Sequence, residues 1–140
     1  MAQPATTFDQ LARDFEIAWY EALLEQTPDN LIAMEQLAHA YTAAGRYKDG
    51  LAMDKKLVAA MPEAPLVHYN LACSLSLTGD LDGAIDELLV AIKLGYEDFD
   101  HLMQDDDLEA ARNHVRFEEV IVAAENVDKG DKPENREEDF

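Results

Sequence analysis

The sequence predicts an all-α fold of stacked helical hairpins, and three observations predict it. The composition favours helix: of 140 residues 48% are hydrophobic, Ala and Leu dominate, and there are only 6 Gly and 5 Pro. The chain matches itself at an offset of 34 residues. Within each copy, apolar residues recur at the three-and-four spacing of one helical face.

The offset aligns unlike residue types together, which a bias towards Ala and Leu does not do. Gly45 falls on Gly79, Pro28 on Pro62, and Leu37-Ala38 on Leu71-Ala72. Tyr41 and Tyr47 fall on Leu75 and Leu81, and Gly50 falls on Ala84. Ile17, Leu51 and Ile85 share one register, as do Leu24, Val58 and Ile92.

Taken in order, residues 1–28 carry one helix. Thr7-Phe8-Asp9-Gln10 is a capping box, so the helix starts at Phe8 and runs to about Gln26. It offers Phe8, Leu11, Phe15, Ala18, Trp19, Ala22 and Leu23 as its apolar face, with Trp19 expected in a core or a dimer contact. Residues 29–62 form the first full unit. Leu31–Ala44 presents Met34, Leu37, Ala38 and Tyr41, Gly45 ends it, Tyr47–Ala60 follows, and Pro62 stops that helix. Residues 63–96 repeat the plan with Leu66–Thr78, the stop at Gly79, and Leu81–Leu94 capped by Asp80. Residues 97–126 read as a degenerate closing pair, with a helix start at Asp106-Asp107-Leu108-Glu109, a left-handed stop at Asn113, and a face of Phe117, Val120, Ile121 and Ala124. The polar, acidic segment 127–140 is expected to be disordered. Ala38, Ala72, Gly50 and Ala84 let helix axes approach while Leu37, Tyr41 and Leu75 fill the space beside them.

These residues resemble the tetratricopeptide repeat family. The match runs through Met34, Leu37-Ala38, Tyr41, Gly45-Arg46-Tyr47, Gly50 and Pro62, then His68, Leu71-Ala72, Leu75, Gly79-Asp80-Leu81 and Ala84. It covers residues 29–96. Gly95-Tyr96 through Asp106-Asp107-Leu108 to Arg116-Phe117 is similar to the block that closes such arrays in bacterial proteins, with Asp107 and Val115 where that block often has Pro. The resemblance implies a right-handed helical-repeat solenoid. Asp54, where the family prefers an aromatic, and Tyr96, where it closes on Pro, depart from the pattern; Asp54 is expected to cost apolar contact or expose an edge.

The resemblance also implies a function: a concave wall, built by the first helix of each unit, that takes a peptide. On this sequence that wall is Glu35, Gln36, His39 and Thr42, then Tyr69, Asn70, Cys73 and Ser76. Asn70 and Gln36 suit a peptide backbone, and Tyr69 offers apolar area with a polar tip. Members that grip acidic tails do so with Lys and Arg, and this wall has none. A neutral or basic protein segment is the expected partner. The alternative is a small acidic chaperone that shields an export or assembly client. A homodimer through the first helix or the edge near Asp54 is a further expectation.

Charge bounds the rest. The net charge is -19, from 30 acidic and 11 basic residues, which repels nucleic acid and anionic lipid. It also serves solubility, or suits a saline cytoplasm. Met1 to Thr7 has neither the basic stretch nor the apolar run of a signal peptide, and no run of 18 apolar residues occurs, so the expected location is cytoplasmic and off the membrane. No catalytic role is expected: there is no Gly-rich phosphate loop or Ser elbow, and Cys73 has no sequence neighbour to activate it. Asp105, Asp106 and Asp107 lack the alternation, central Gly and distal Glu of a calcium loop, and His39, His68, His101 and His114 lack ligand spacing, so no metal or cofactor is expected.

Overall fold

The computed structural model describes residues 7–128, and all regular structure among them is helical. The helices are α1 Phe8–Gln26, α2 Leu31–Ala43, α3 Tyr47–Ala60, α4 Pro65–Leu77, α5 Leu81–Lys93, α6 Phe99–Gln104, α7 Glu109–Arg112 and α8 Phe117–Asp128. A 3₁₀ turn, Asp106–Leu108, leads into α7. The chain divides into two compact units, Met1–Ala60 and Met61–Phe140.

In the first unit α1 packs on α2 and α2 on α3. The capping box forms as expected: the Gln10 amide donates to Thr7 Oγ1 at 3.2 Å, and the Thr7 amide donates to Gln10 Oε1 at 2.8 Å. Asn30 caps α2 by accepting from the Ala33 amide at 3.1 Å. Gly45, at φ +78°, turns the chain, and the Arg46 amide reaches back to Tyr41 O at 2.8 Å to close α2. A Cβ on Gly50 would lie 2.8 Å from Thr42 Oγ1, so the close approach of α3 to α2 needs a residue with no side chain.

The core of this unit corrects the reading of α1. Ile17, Leu37, Ala40 and Tyr41 are buried together, with Tyr20, Leu24 and Met53 against them. Phe8, Leu11, Phe15 and Trp19, expected to form the packed face, are exposed, Phe8 at 82% and Trp19 at 53%. α1 carries two apolar stripes, and α2 covers the one led by Ile17 and Leu24. Those two residues share register with Leu51 and Val58, so the repeat offset marked the inner stripe while the larger aromatics marked the outer one.

In the second unit α4 packs on α5 around Leu71, Ala72, Leu75, Ala84, Ile85 and Leu88. Pro65 opens α4 at its first turn, where its missing amide hydrogen costs nothing. Gly79 at φ +91° repeats the stop of Gly45, and the Asp80 amide donates to Leu75 O at 2.9 Å. Asp80 then caps α5 through the Gly83 amide at 2.9 Å. The 3₁₀ turn and α7 lie on α4, and α7 and α8 lie on α5, burying Leu108, Ala111, Phe117 and Val120. Arg116 fixes the start of α8 by reaching Asp82 at 3.0 Å, Asp86 at 2.7 Å and Glu119 at 2.8 Å.

Four further expectations change. Asn113 is right-handed at φ −85°, and no residue other than Gly has positive φ among the described residues. The helix start at residues 106–109 is a 3₁₀ turn capped by Asp105, which accepts from the Asp107 amide at 3.0 Å. Asp54 is neither lost nor exposed: it is 5% exposed and engaged. α8 continues two residues past 126, and the rest of the expected disordered tail, 129–140, lies outside the described residues.

Candidate functional site

The eight residues expected on the peptide wall fall into two sets. On α2, Gln36 and His39 are exposed or half-buried at the surface, as are Glu35 and Thr42. Thr42 is occupied locally, its hydroxyl donating to Ala38 O at 3.1 Å. On α4, Tyr69, Cys73 and Ser76 of the expected wall are buried, and Asn70 is half-buried. The closing segment occupies that face.

The contacts between α4 and the closing segment are specific. The Tyr69 hydroxyl donates to Asp105 Oδ2 at 2.7 Å, and Tyr96 stacks on the Tyr69 ring at 4.4 Å and 10°. That stack gives Tyr96 a packing role where the family pattern has Pro. Ser76 Oγ accepts from the Ala111 amide at 3.2 Å. Arg112 holds the segment from behind, donating to Leu102 O at 3.0 Å and Asp105 O at 2.6 Å. Burial and the neighbouring carboxylate push the Tyr69 hydroxyl's pKa upward, and burial pushes Tyr96 to about 12, so both phenols stay protonated.

The same place gathers Cys73, Asp105 and Asp107, with one possible ligand atom from each within 4.8 Å of the others. Hydrogen bonds account for the gathering. Asp105 Oδ2 accepts from Tyr69 and lies 3.7 Å from Cys73 Sγ, and Oδ1 accepts from the Asp107 amide. Burial raises the Asp107 pKa, as do the charges of Asp105 and Asp106.

Two features escaped sequence reasoning. The first is an ion pair inside the second unit. His68 Nδ1 lies 2.6 Å from Glu87 Oε2, and Nε2 lies 2.7 Å from Pro62 O. Pro62 O accepts, and so does Glu87 when ionised, so the pair favours the protonated imidazole, in which both ring nitrogens donate. Burial opposes that charge, but the two hydrogen bonds outweigh it and the pKa is raised. The repeat offset hinted at the pair, because His68 and Glu87 fall on Met34 and Met53. The second feature is a cavity of about 260 Å³ in the first unit, bordered by Leu24, Met34, Leu37, Tyr41, Met53 and Lys56. At its edge Tyr41 donates to Glu21 at 2.6 Å, and burial with that carboxylate raises its pKa to about 12.

Helical hairpins at a 34-residue offset, stopped by matching glycines and closed by a short capping segment, define a tetratricopeptide-type helical-repeat fold. Comparison with solved structures agrees. The chain is similar to "MamA RS-1 ArsTM double mutant", with a TM-score of 0.59 and 20% identity over 84% of this chain and 69% of that one. Among curated proteins it is similar to a chloroplastic protein of Arabidopsis thaliana, 30% identical over 84 residues. That match takes in 58% of this chain but 25% of the relative, so the chain spans about a quarter of the curated protein it matches. No family model matches the chain. Among the described residues no helix is long and apolar enough to cross a membrane.

Proposed function

We propose that this chain is a protein-interaction module that takes a neutral or basic polypeptide segment on the first-helix face of its first unit. The observation that carries the reading is a contrast at one register. The α4 face at Tyr69, Cys73 and Ser76 is occupied by another stretch of the same chain, whereas Gln36 and His39 of α2 reach the surface. The closing segment illustrates how such a face is engaged: a backbone amide on a small hydroxyl, and a side chain locked by a buried phenol. Glu35, Gln36 and His39 offer donors and acceptors of the same reach, with no Lys or Arg among them, in a chain of net charge -19. That balance favours neutral or basic segments.

Peptides selected from a random display library against the purified protein test this. They are expected to be neutral or basic and to lose about tenfold in affinity, or about 1.4 kcal/mol, to the double variant Gln36→Lys with His39→Lys. Neither position is buried, so the fold should survive the change. Unchanged binding by the variant would refute the face assignment.

A further inference from the structure

α1 has a second apolar stripe that the first unit leaves uncovered among the described residues. Phe8, Leu11, Phe15 and Trp19 follow the spacing of one helical face and are 82%, 58%, 71% and 53% exposed. A helix apolar on two sides is normally packed on two sides. At about 100° per residue, Asp9 and Glu16 lie along one border of the stripe and Asp14 and Glu25 along the other, each roughly 85–115° from its middle. All four are exposed. The one cation of α1, Arg13, is turned inward, donating to Ala43 O at 2.7 Å. The result is an apolar strip between two rails of carboxylate.

We propose that this strip docks one amphipathic helix of another protein, whose apolar face is flanked by Lys or Arg. The rails supply the charge complementarity, and they argue against a second copy, which would set carboxylate against carboxylate. The four side chains expose on the order of 600 Å². The strip rises roughly 17 Å from Phe8 to Trp19, the reach of three helical turns. The surface is separate from the α2 face proposed above, and either assignment can fail without the other.

Trp19 is the sole tryptophan and lies in the strip, so its emission reports occupancy directly. The probe is a peptide of Leu and Lys, about five helical turns long, patterned as an amphipathic helix and titrated into the full chain. Docking is expected to shift Trp19 emission to the blue and to make the peptide helical. Phe8→Ser with Phe15→Ser keeps every charge and removes exposed rings only; it should weaken binding about tenfold or more. Glu16→Lys with Glu25→Lys should weaken it and flatten its salt dependence. Gln36→Lys with His39→Lys should leave it unchanged. The proposal is overturned if a scrambled peptide of the same composition binds equally, or if the Phe→Ser pair has no effect. It is also overturned if Trp19 emission shifts with protein concentration alone, which would make a second copy the occupant.

Discussion

The hairpins α2–α3 and α4–α5 follow one plan, yet they are finished differently. Both stop their first helix on a positive-φ glycine, and both bury Leu-Ala on the first helix and a small residue on the second. They diverge at three matched places. Met34 and Met53 border a cavity in the first, where the second has buried His68 paired with half-buried Glu87. Glu35 and His39 correspond to Tyr69 and Cys73, which lie beneath the closing segment. Asp54 corresponds to Leu88, which is fully buried. Positions that set the hairpin's shape are shared, and positions that decide what lies against it are not. A repeat scaffold keeps its turn and interlock residues because its geometry depends on them; its outer positions answer to whatever covers each face.

The comparison breaks most visibly at the second hairpin's core. Leu88→Ala removes a fully buried side chain and should cost about 2–5 kcal/mol, read as a fall in the denaturation midpoint. The ion pair sharpens it next. Glu87→Met alone leaves the buried His68 without its anion and should cost about 2 kcal/mol. His68→Met with Glu87→Met, which copies the first hairpin, should recover most of that loss. Because the folded pKa of His68 is raised, its contribution is complete below the unfolded value near 6.5. It is lost as pH rises through the folded value. Denaturation followed from about pH 5 to about pH 9 should therefore show a decline in the natural chain that the double-Met variant lacks.

The matched face offers the third test. Tyr69→Phe removes a hydroxyl that donates to Asp105 and should cost about 1–2 kcal/mol, with faster hydrogen exchange in α6 and α7. Glu35→Ala at the same register should stay within about 0.5 kcal/mol. Comparable losses from the two would erase the distinction between an occupied and an open face. The smallest effect concerns what the hairpins share. Gly45→Ala and Gly79→Ala meet no atom within 4 Å, so their cost is backbone strain alone, about 1 kcal/mol each and nearly equal.

Much of the fold was legible because its signals are local. The capping box at Thr7, the cap at Asp80 and the glycine stops are encoded within a few residues of where they act. The candidate site was half legible. The offset of 34 grouped Glu35, Gln36 and His39 with Tyr69, Asn70 and Cys73, but grouping by register says nothing of cover. Tyr69 and Cys73 already differed from their partners in being less polar, a trace of the segment that buries them.

The sequence by itself determined α1 to α5, their ends and the plan of each hairpin, since those rest on contacts a few residues apart. Only the tertiary structure decided which stripe of α1 faces α2, that His68 finds both Glu87 and Pro62 O, and that Asp105 takes the hydroxyl of Tyr69. Most of those choices join residues distant along the chain. A helix with two apolar stripes, or a polar side chain with several reachable partners, has no local preference among them. The free energy of burying one arrangement over another makes the selection.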